Sequence, residues 1–244
     1  MSAEDFARIK RNKLFLWLGA ALVVILLGAW IYGRSSDSQE VTKALNDGEQ
    51  LFKANRYAEA IQSFDRVVAL NHDQTRAYLL RGRASAALGQ MEPAIRDFTK
   101  VIELKPSSAE AYVERASVHL RANNYAKAAA DCGDALAKDP KLTYAYTLRG
   151  MALREMGDYP RALQDFNRAV QLAPGLDNYF QRATAYQALG EHAKAIADLD
   201  EVIALFPTSP MGYLARAKSR AAMGDAAGAH SDREAGRRLE EREN

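Results

Sequence analysis

A chain of 244 residues, about half of them apolar, is long enough for one or two ordinary domains, and its 33 basic and 31 acidic residues nearly cancel. That balance argues against a nucleic-acid partner, which calls for a basic face or a high net charge. Cys132 is the only cysteine, which excludes an internal disulfide framework and any cysteine-built zinc or iron–sulfur site.

Residues 1–13 form a short basic N-terminus carrying Arg8, Lys10, Arg11 and Lys13. Residues 14–32 then read LFLWLGAALVVILLGAWIY, an uncharged stretch that at helical rise covers about 28 Å, close to the hydrocarbon thickness of a bilayer. Trp17, Trp30 and Tyr32 lie near its ends, where amphipathic rings favour the headgroup layer. No small-x-small cleavage pattern follows, so the expectation is one uncleaved transmembrane helix acting as a signal-anchor. The basic flank places the N-terminus in the cytoplasm and residues 33–244 outside it, in the periplasm of a Gram-negative cell. The reverse orientation would turn the same chain into a cytoplasm-facing receptor. Gly19 and Gly28 do not have the spacing of a helix-dimerising motif.

A polar connector is expected at 33–40, reaching at most about 28 Å. From residue 41 to the end at 244 the chain repeats itself with a period of thirty-four, with copies starting near Val41, Thr75, Ala109, Thr143, Leu176 and Pro210. Place four of the copies holds Ala44, Tyr78, Tyr112, Tyr146, Tyr179 and Tyr213, and place eight Gly48, Gly82, Ala116, Gly150, Ala183 and Ala217. Place twenty holds alanine in all six, from Ala60 to Ala229, and Pro106, Pro140, Pro174 and Pro207 close four copies. Ser107-Ser108-Ala109-Glu110 has capping-box spacing, and Ser209-Pro210 offers an N-cap followed by proline at the first helical position. Gly89, Gly157, Gly190 and Gly224 fall where two paired helices would be joined by a left-handed residue. The last copy ends in AAGAHSDREAGRRLEEREN, a polar second helix suited to closing a stack.

These residues and their period resemble the tetratricopeptide repeat. The resemblance implies an all-α fold, a right-handed solenoid of six helix–turn–helix repeats preceded here by the membrane helix, with a concave groove that binds other proteins. In that family the groove is lined from the first helix of each copy, at places two, five, nine, twelve and thirteen. Place five here reads Leu45, Leu79, Val113, Thr147, Phe180 and Leu214; place nine includes Arg83 and Met151, and Arg154 and Arg121 come from places twelve and thirteen. An apolar row beside scattered cations suits an amphipathic or extended protein segment with some acidic residues. Leu45, Glu49, Leu79 and Arg83 do not match the Lys and Asn pattern with which a subset of the family captures chaperone C-termini.

One charged pair recurs. Place seven holds Arg81, Arg115, Arg149, Arg182 and Arg216, place twenty-three Asp97, Asp131, Asp165, Asp198 and Asp232, and the first copy lacks both. Joint absence points to partnership inside one repeat, Arg81 with Asp97 through Arg216 with Asp232, as structural ion pairs. The competing reading is a basic stripe for an acidic ligand. Phosphate-loop, GxSxG, HExxH and GxGxxG motifs are absent, and His72, His119, His192 and His230 occupy unrelated places. The expectation is therefore no enzyme, no cofactor and no metal site, with Cys132 a buried small hydrophobe. The chain reads as a membrane-anchored scaffold, assembly factor or chaperone-like adaptor for an envelope complex, binding protein rather than nucleic acid or a small substrate. A fixed structural subunit of a membrane complex is the other reading.

Overall fold

The computed structural model describes residues 38–243, and among these every regular element is an α-helix. The basic N-terminus and the expected membrane helix at 14–32 lie outside the described residues, and none of the described helices is long and apolar enough to cross a membrane. Of the connector expected at 33–40, residues 38–40 are helical and the rest lie outside the described residues. The first helix, α1, is already formed at residue 38 and runs to 53, so Gln39 and Glu40, both good helix formers, belong to it.

Eleven helices follow: α2 (Tyr57–Leu70), α3 (Thr75–Ala87), α4 (Met91–Leu104), α5 (Ala109–Arg121), α6 (Tyr125–Lys138), α7 (Thr143–Glu155), α8 (Tyr159–Leu172), α9 (Leu176–Ala188), α10 (His192–Leu205), α11 (Pro210–Ala222) and α12 (Ala226–Glu243). The odd-numbered helices from α3 onward begin at the residues where the sequence repeats start. The chain divides into two compact units, one ending at Ala84 and one beginning at Ser85. In the first, Val41, Ala44, Ala60, Phe64, Val67 and Ala77 form the core. In the second, each first helix packs on its own second helix, as α5 on α6 and α7 on α8, and each second helix packs on the next first helix, as α6 on α7. The first helices α5, α7 and α9 also touch in succession.

The turns inside each pair share one construction. At place fifteen Gly89, Gly157, Gly190 and Gly224 have φ between 75° and 84°, and the other two copies use Asn55 and Asn123 at φ 59° and 58°. Asparagine is among the few side chains that tolerate this region, and here each is held from outside. Tyr57 Oη donates to Asn55 Oδ1 at 2.7 Å, and Tyr125 Oη to Asn123 Oδ1 at 2.8 Å. After the left-handed residue, the next backbone N–H reaches five residues back, as Asn124 to His119 O at 2.8 Å and Asp158 to Leu153 O at 2.9 Å. This bond satisfies one of the carbonyls a helix end leaves open. Two cap expectations change. Ser108, not Ser107, caps α5, accepting from Ala111 N, and Ser209 makes no side-chain cap bond although Pro210 does open α11. Asp158 accepts from Arg161 N at the start of α8.

Small residues at place eight set how closely paired helices approach. A Cβ added to Gly48 would sit 2.6 Å from Phe64 Cε1, and one added to Gly150 would sit 2.6 Å from Phe166 Cε1. The phenylalanine ring therefore occupies the space a side chain would take. Where place eight is alanine, place twenty-four shrinks: Ala116 clusters with Cys132, and Ala183 with Leu199. Cys132 is fully buried, and burial pushes its thiol up to about 12, which keeps it protonated and unreactive. In the last copy place twenty-four is Arg233, exposed on α12, as befits a helix that no further repeat covers.

Gly150→Ala should lower stability by about 1–2 kcal/mol, because displacing the Phe166 ring outweighs the roughly 1 kcal/mol gained from helix propensity. Adding Phe166→Leu recreates the Ala183/Leu199 pairing, so denaturant titration of the single and double variants should show a double mutant less destabilised than the sum of the singles. Simple additivity would contradict this packing.

Candidate protein-binding face

The recurring arginines come from the first helices and the aspartates from the second. Arg115 donates through Nε and Nη2 to the two carboxylate oxygens of Asp131 at 2.9 and 2.7 Å. Arg149 holds Asp165 at 2.8 and 2.7 Å, Arg182 holds Asp198 at 2.8 and 2.6 Å, and Arg216 holds Asp232 at 2.9 and 2.7 Å. Each is a fork-to-fork pair whose aspartate is buried. Of the remaining pair, Arg81 belongs to the first unit, where its Nη1 donates to Asp65 at 2.6 Å, and Asp97 is buried in the second. The carboxylate hydrogen bonds raise the guanidinium pKa of Arg115, Arg149, Arg182 and Arg216 above its ordinary value, against an opposing contribution from burial. The place-four tyrosines lie beneath these cations, with Arg149 Cζ 5.7 Å from the Tyr146 ring centroid and Arg182 Cζ 5.7 Å from that of Tyr179.

The same arginines have a second attachment that repeat-internal pairing does not include. Arg115 Nη1 donates to Thr99 Oγ1 at 3.0 Å, Arg182 Nη1 to Asn167 Oδ1 at 2.9 Å, and Arg216 Nη1 to Asp200 Oδ1 at 2.6 Å. All three acceptors, like Asp65 for Arg81, stand at place twenty-five of the preceding copy. One guanidinium thus closes its own helix pair and fastens it to the pair before. Among the described residues Arg149 makes no such second attachment, because position 133 is glycine, with open space where a side chain would stand. The signal was present in the sequence as a column of short polar residues, but only the packing shows whose nitrogen they face.

His119 shares this neighbourhood. It is buried, its Nδ1 has no partner among the described residues, and its Nε2 lies 3.9 Å from Asp131 Oδ2, too far for a hydrogen bond. Burial holds its pKa below the ordinary histidine value, with Arg115 and Lys127 acting in the same direction and Asp131 and Glu92 opposing. It is a neutral packing residue.

The row expected to line a groove is less open than its sequence suggests. Leu45 packs on the first unit's core, Val113 on Ala116, Cys132 and Leu148, Met151 on Leu153 and Phe166, and Phe180 on Ala183 and Leu199. Leu214 is covered by α12, since a Cβ added to Gly236 would come 2.7 Å from its Cδ2. Leu79 and Arg83 are half-buried. The basic residues are engaged as well: Arg121 donates to Ala86 O at 2.9 Å, and Arg154 to Gln181 Oε1 at 2.7 Å and Thr184 Oγ1 at 2.8 Å, with Glu155 beside it. Places two and thirteen stay open. Tyr144 is 57% exposed and Met211 44%, with Asp177 exposed between them in the sequence order of the copies. Between α7 and α9, Tyr144, Thr147, Met151, Asp177, Asn178 and Gln181 border a cleft of about 280 Å³. Its floor is fixed by Thr147 Oγ1 on Asn178 Oδ1 at 2.7 Å and by Asn178 Nδ2 on Ala173 O at 2.8 Å.

Arg149→Met should destabilise by about 3–4 kcal/mol by leaving Asp165 buried without its cation, and adding Asp165→Leu should restore most of the loss. Equal losses for the single and double variants, measured by equilibrium denaturation, would rule out partnership.

Comparison with known proteins gives the same architecture. Family models for the tetratricopeptide repeat match residues 46–109, 92–143, 143–176 and 177–209. A curated relative, the tetratricopeptide repeat and J domain-containing co-chaperone of Cryptococcus neoformans, is 36% identical over 61 residues, a match that covers 25% of this chain but only 12% of the relative. Among solved structures, MamA from Desulfovibrio magneticus RS-1 superposes with a TM-score of 0.65 at 20% identity, covering 68% of this chain and 94% of that one. YrrB, described as a tetratricopeptide repeat protein with an unusual peptide-binding site, superposes with a TM-score of 0.60 at 19% identity, covering 72% and 91%. At such identities the likeness establishes the fold alone. With the repeat models spanning most of the chain and the helix pairs in register with them, the protein belongs to the tetratricopeptide repeat family.

Proposed function

We propose that this chain is a membrane-anchored protein-binding adaptor, a scaffold, assembly factor or chaperone-like subunit serving an envelope complex. It binds a protein segment along the exposed face of its first helices. The observation that carries the reading is the cleft between α7 and α9, where Tyr144 stands 57% exposed above a floor already satisfied by its own hydrogen bonds. A large ring left in water beside a rigid polar floor is the kind of anchor point that protein interfaces use. The nineteen uncharged residues at 14–32 and the basic residues before them support anchoring by one helix, with the N-terminus in the cytoplasm and the repeats outside it. The co-chaperone name of the fungal relative and the peptide site of YrrB agree with a binding role.

The test is site-specific photo-crosslinking in cells from position 144, and from Gln164, exposed on α8, as a control. Crosslinks to a defined partner from 144 and not from 164 are the expected result. Equal crosslinking from both faces would refute the assignment of the binding face. A chain lacking residues 14–32 that still sediments with membranes after alkaline extraction would refute the anchor.

A further inference from the structure

We infer that the α7–α9 cleft selects a basic residue, arginine or lysine, in the segment it binds; this rests on the binding face proposed above. Of the cations that position assigns to the groove, Arg154 is held by Gln181, Thr184 and Glu155 and Arg121 by the Ala86 carbonyl, and none is among the residues bordering this cleft. The charged group that borders the cleft is Asp177, which is exposed and makes no hydrogen bond or ion pair to the described residues. With it stand the Tyr144 ring and the Met151 thioether.

A tyrosine and a carboxylate bordering one cleft are the two kinds of group that the protein sets around an arginine inside its own repeats. There, an arginine lies 5.7 Å above Tyr146 or Tyr179 and is gripped by Asp165 or Asp198. At the cleft the tyrosine and the carboxylate are present and the cation is not. An incoming guanidinium or ammonium completes the set. Its aliphatic stem lies along Met151 and its charge faces Asp177. An acidic segment would instead bring like charge against Asp177, and no lysine or arginine is among the residues that border the cleft.

The probe is a set of fluorescein-labelled extended peptides differing only at one central residue, Arg, Lys, Gln or Glu, with apolar residues on both sides, titrated by anisotropy against the full chain in detergent micelles. Arg- and Lys-centred peptides should bind about tenfold more tightly than the Glu-centred one, a margin that shrinks with added salt. Asp177→Asn should level the series and Asp177→Lys should reverse it, with thermal unfolding unchanged in Asp177→Asn. Tyr144→Ala should weaken all the peptides that bind. A Glu- or Gln-centred peptide that binds as tightly as the Arg-centred one, or a preference indifferent to Asp177→Lys, would overturn the selectivity while leaving the binding face standing. If no peptide binds, or binding is indifferent to Tyr144→Ala, the binding face itself fails and the selectivity with it.

Discussion

One planar cation in each copy after the first organises the described array. A guanidinium carries five N–H groups in a rigid fork, so it can grip a carboxylate with one edge and still present a nitrogen on the other. Here the first edge closes a helix pair, as Arg182 with Asp198, and the remaining nitrogen meets an acceptor on the preceding pair, as Arg182 with Asn167. A lysine could supply the charge but not both directions. Buried ion pairs contribute little net stability against apolar residues of the same size, whereas a broken one is expensive. The arrangement is therefore better understood as fixing register: a helix pair displaced by one turn would strand a buried carboxylate and lose the link to its neighbour together.

Close packing sets the distance over which that fork can reach. Gly150 leaves space filled by the Phe166 ring, and the alanine at the same place in the third and fifth copies is matched by Cys132 and Leu199. Large and small residues trade volume across one contact, and the arginine from the same helix then meets its aspartate. Apolar side chains at place five are drawn into this packing, which leaves place two to face water. The binding chemistry of the molecule thus follows from what the scaffold consumes. Arg154 and Arg121, assigned to a ligand by position, make contacts between helices, and Tyr144, Asp177 and Met211 are among the groups left exposed.

The helix pairs could be read from the chain because each repeat meets the same steric demand at the same place. Alanine at place twenty, and glycine or alanine at place eight, mark where two helices touch, and helix starts at Thr75, Ala109, Thr143, Leu176 and Pro210 follow. The partnership of Arg115 with Asp131 was legible from the joint absence of both residues in the first copy. Other features depend on three-dimensional reach and were not legible. Where Asn55 and Asn123 stand in place of the turn glycines, Tyr57 and Tyr125 donate to their side chains, a pairing that two residues of spacing scarcely signals. The role of Thr99 and Asp200 as acceptors for the next repeat's arginine could not be seen until the helices were packed. The start of α1 before residue 41 was hidden because Ser38, Gln39 and Glu40 read equally well as a polar connector.

The central claim, that one guanidinium joins neighbouring repeats, is tested most directly where nature left the second attachment out. Gly133 stands sixteen residues before Arg149, the separation at which Asp200 meets Arg216, and nothing fills the space beside it. The measurement is the stability of Gly133→Asp relative to Gly133→Ala, by denaturant titration, in the natural chain and in a chain carrying Arg149→Met with Asp165→Leu. The account predicts that aspartate equals or exceeds alanine when Arg149 is present, and falls below it by roughly 0.7 kcal/mol, its helix-propensity deficit, when the guanidinium is gone. The same deficit in both backgrounds would contradict it.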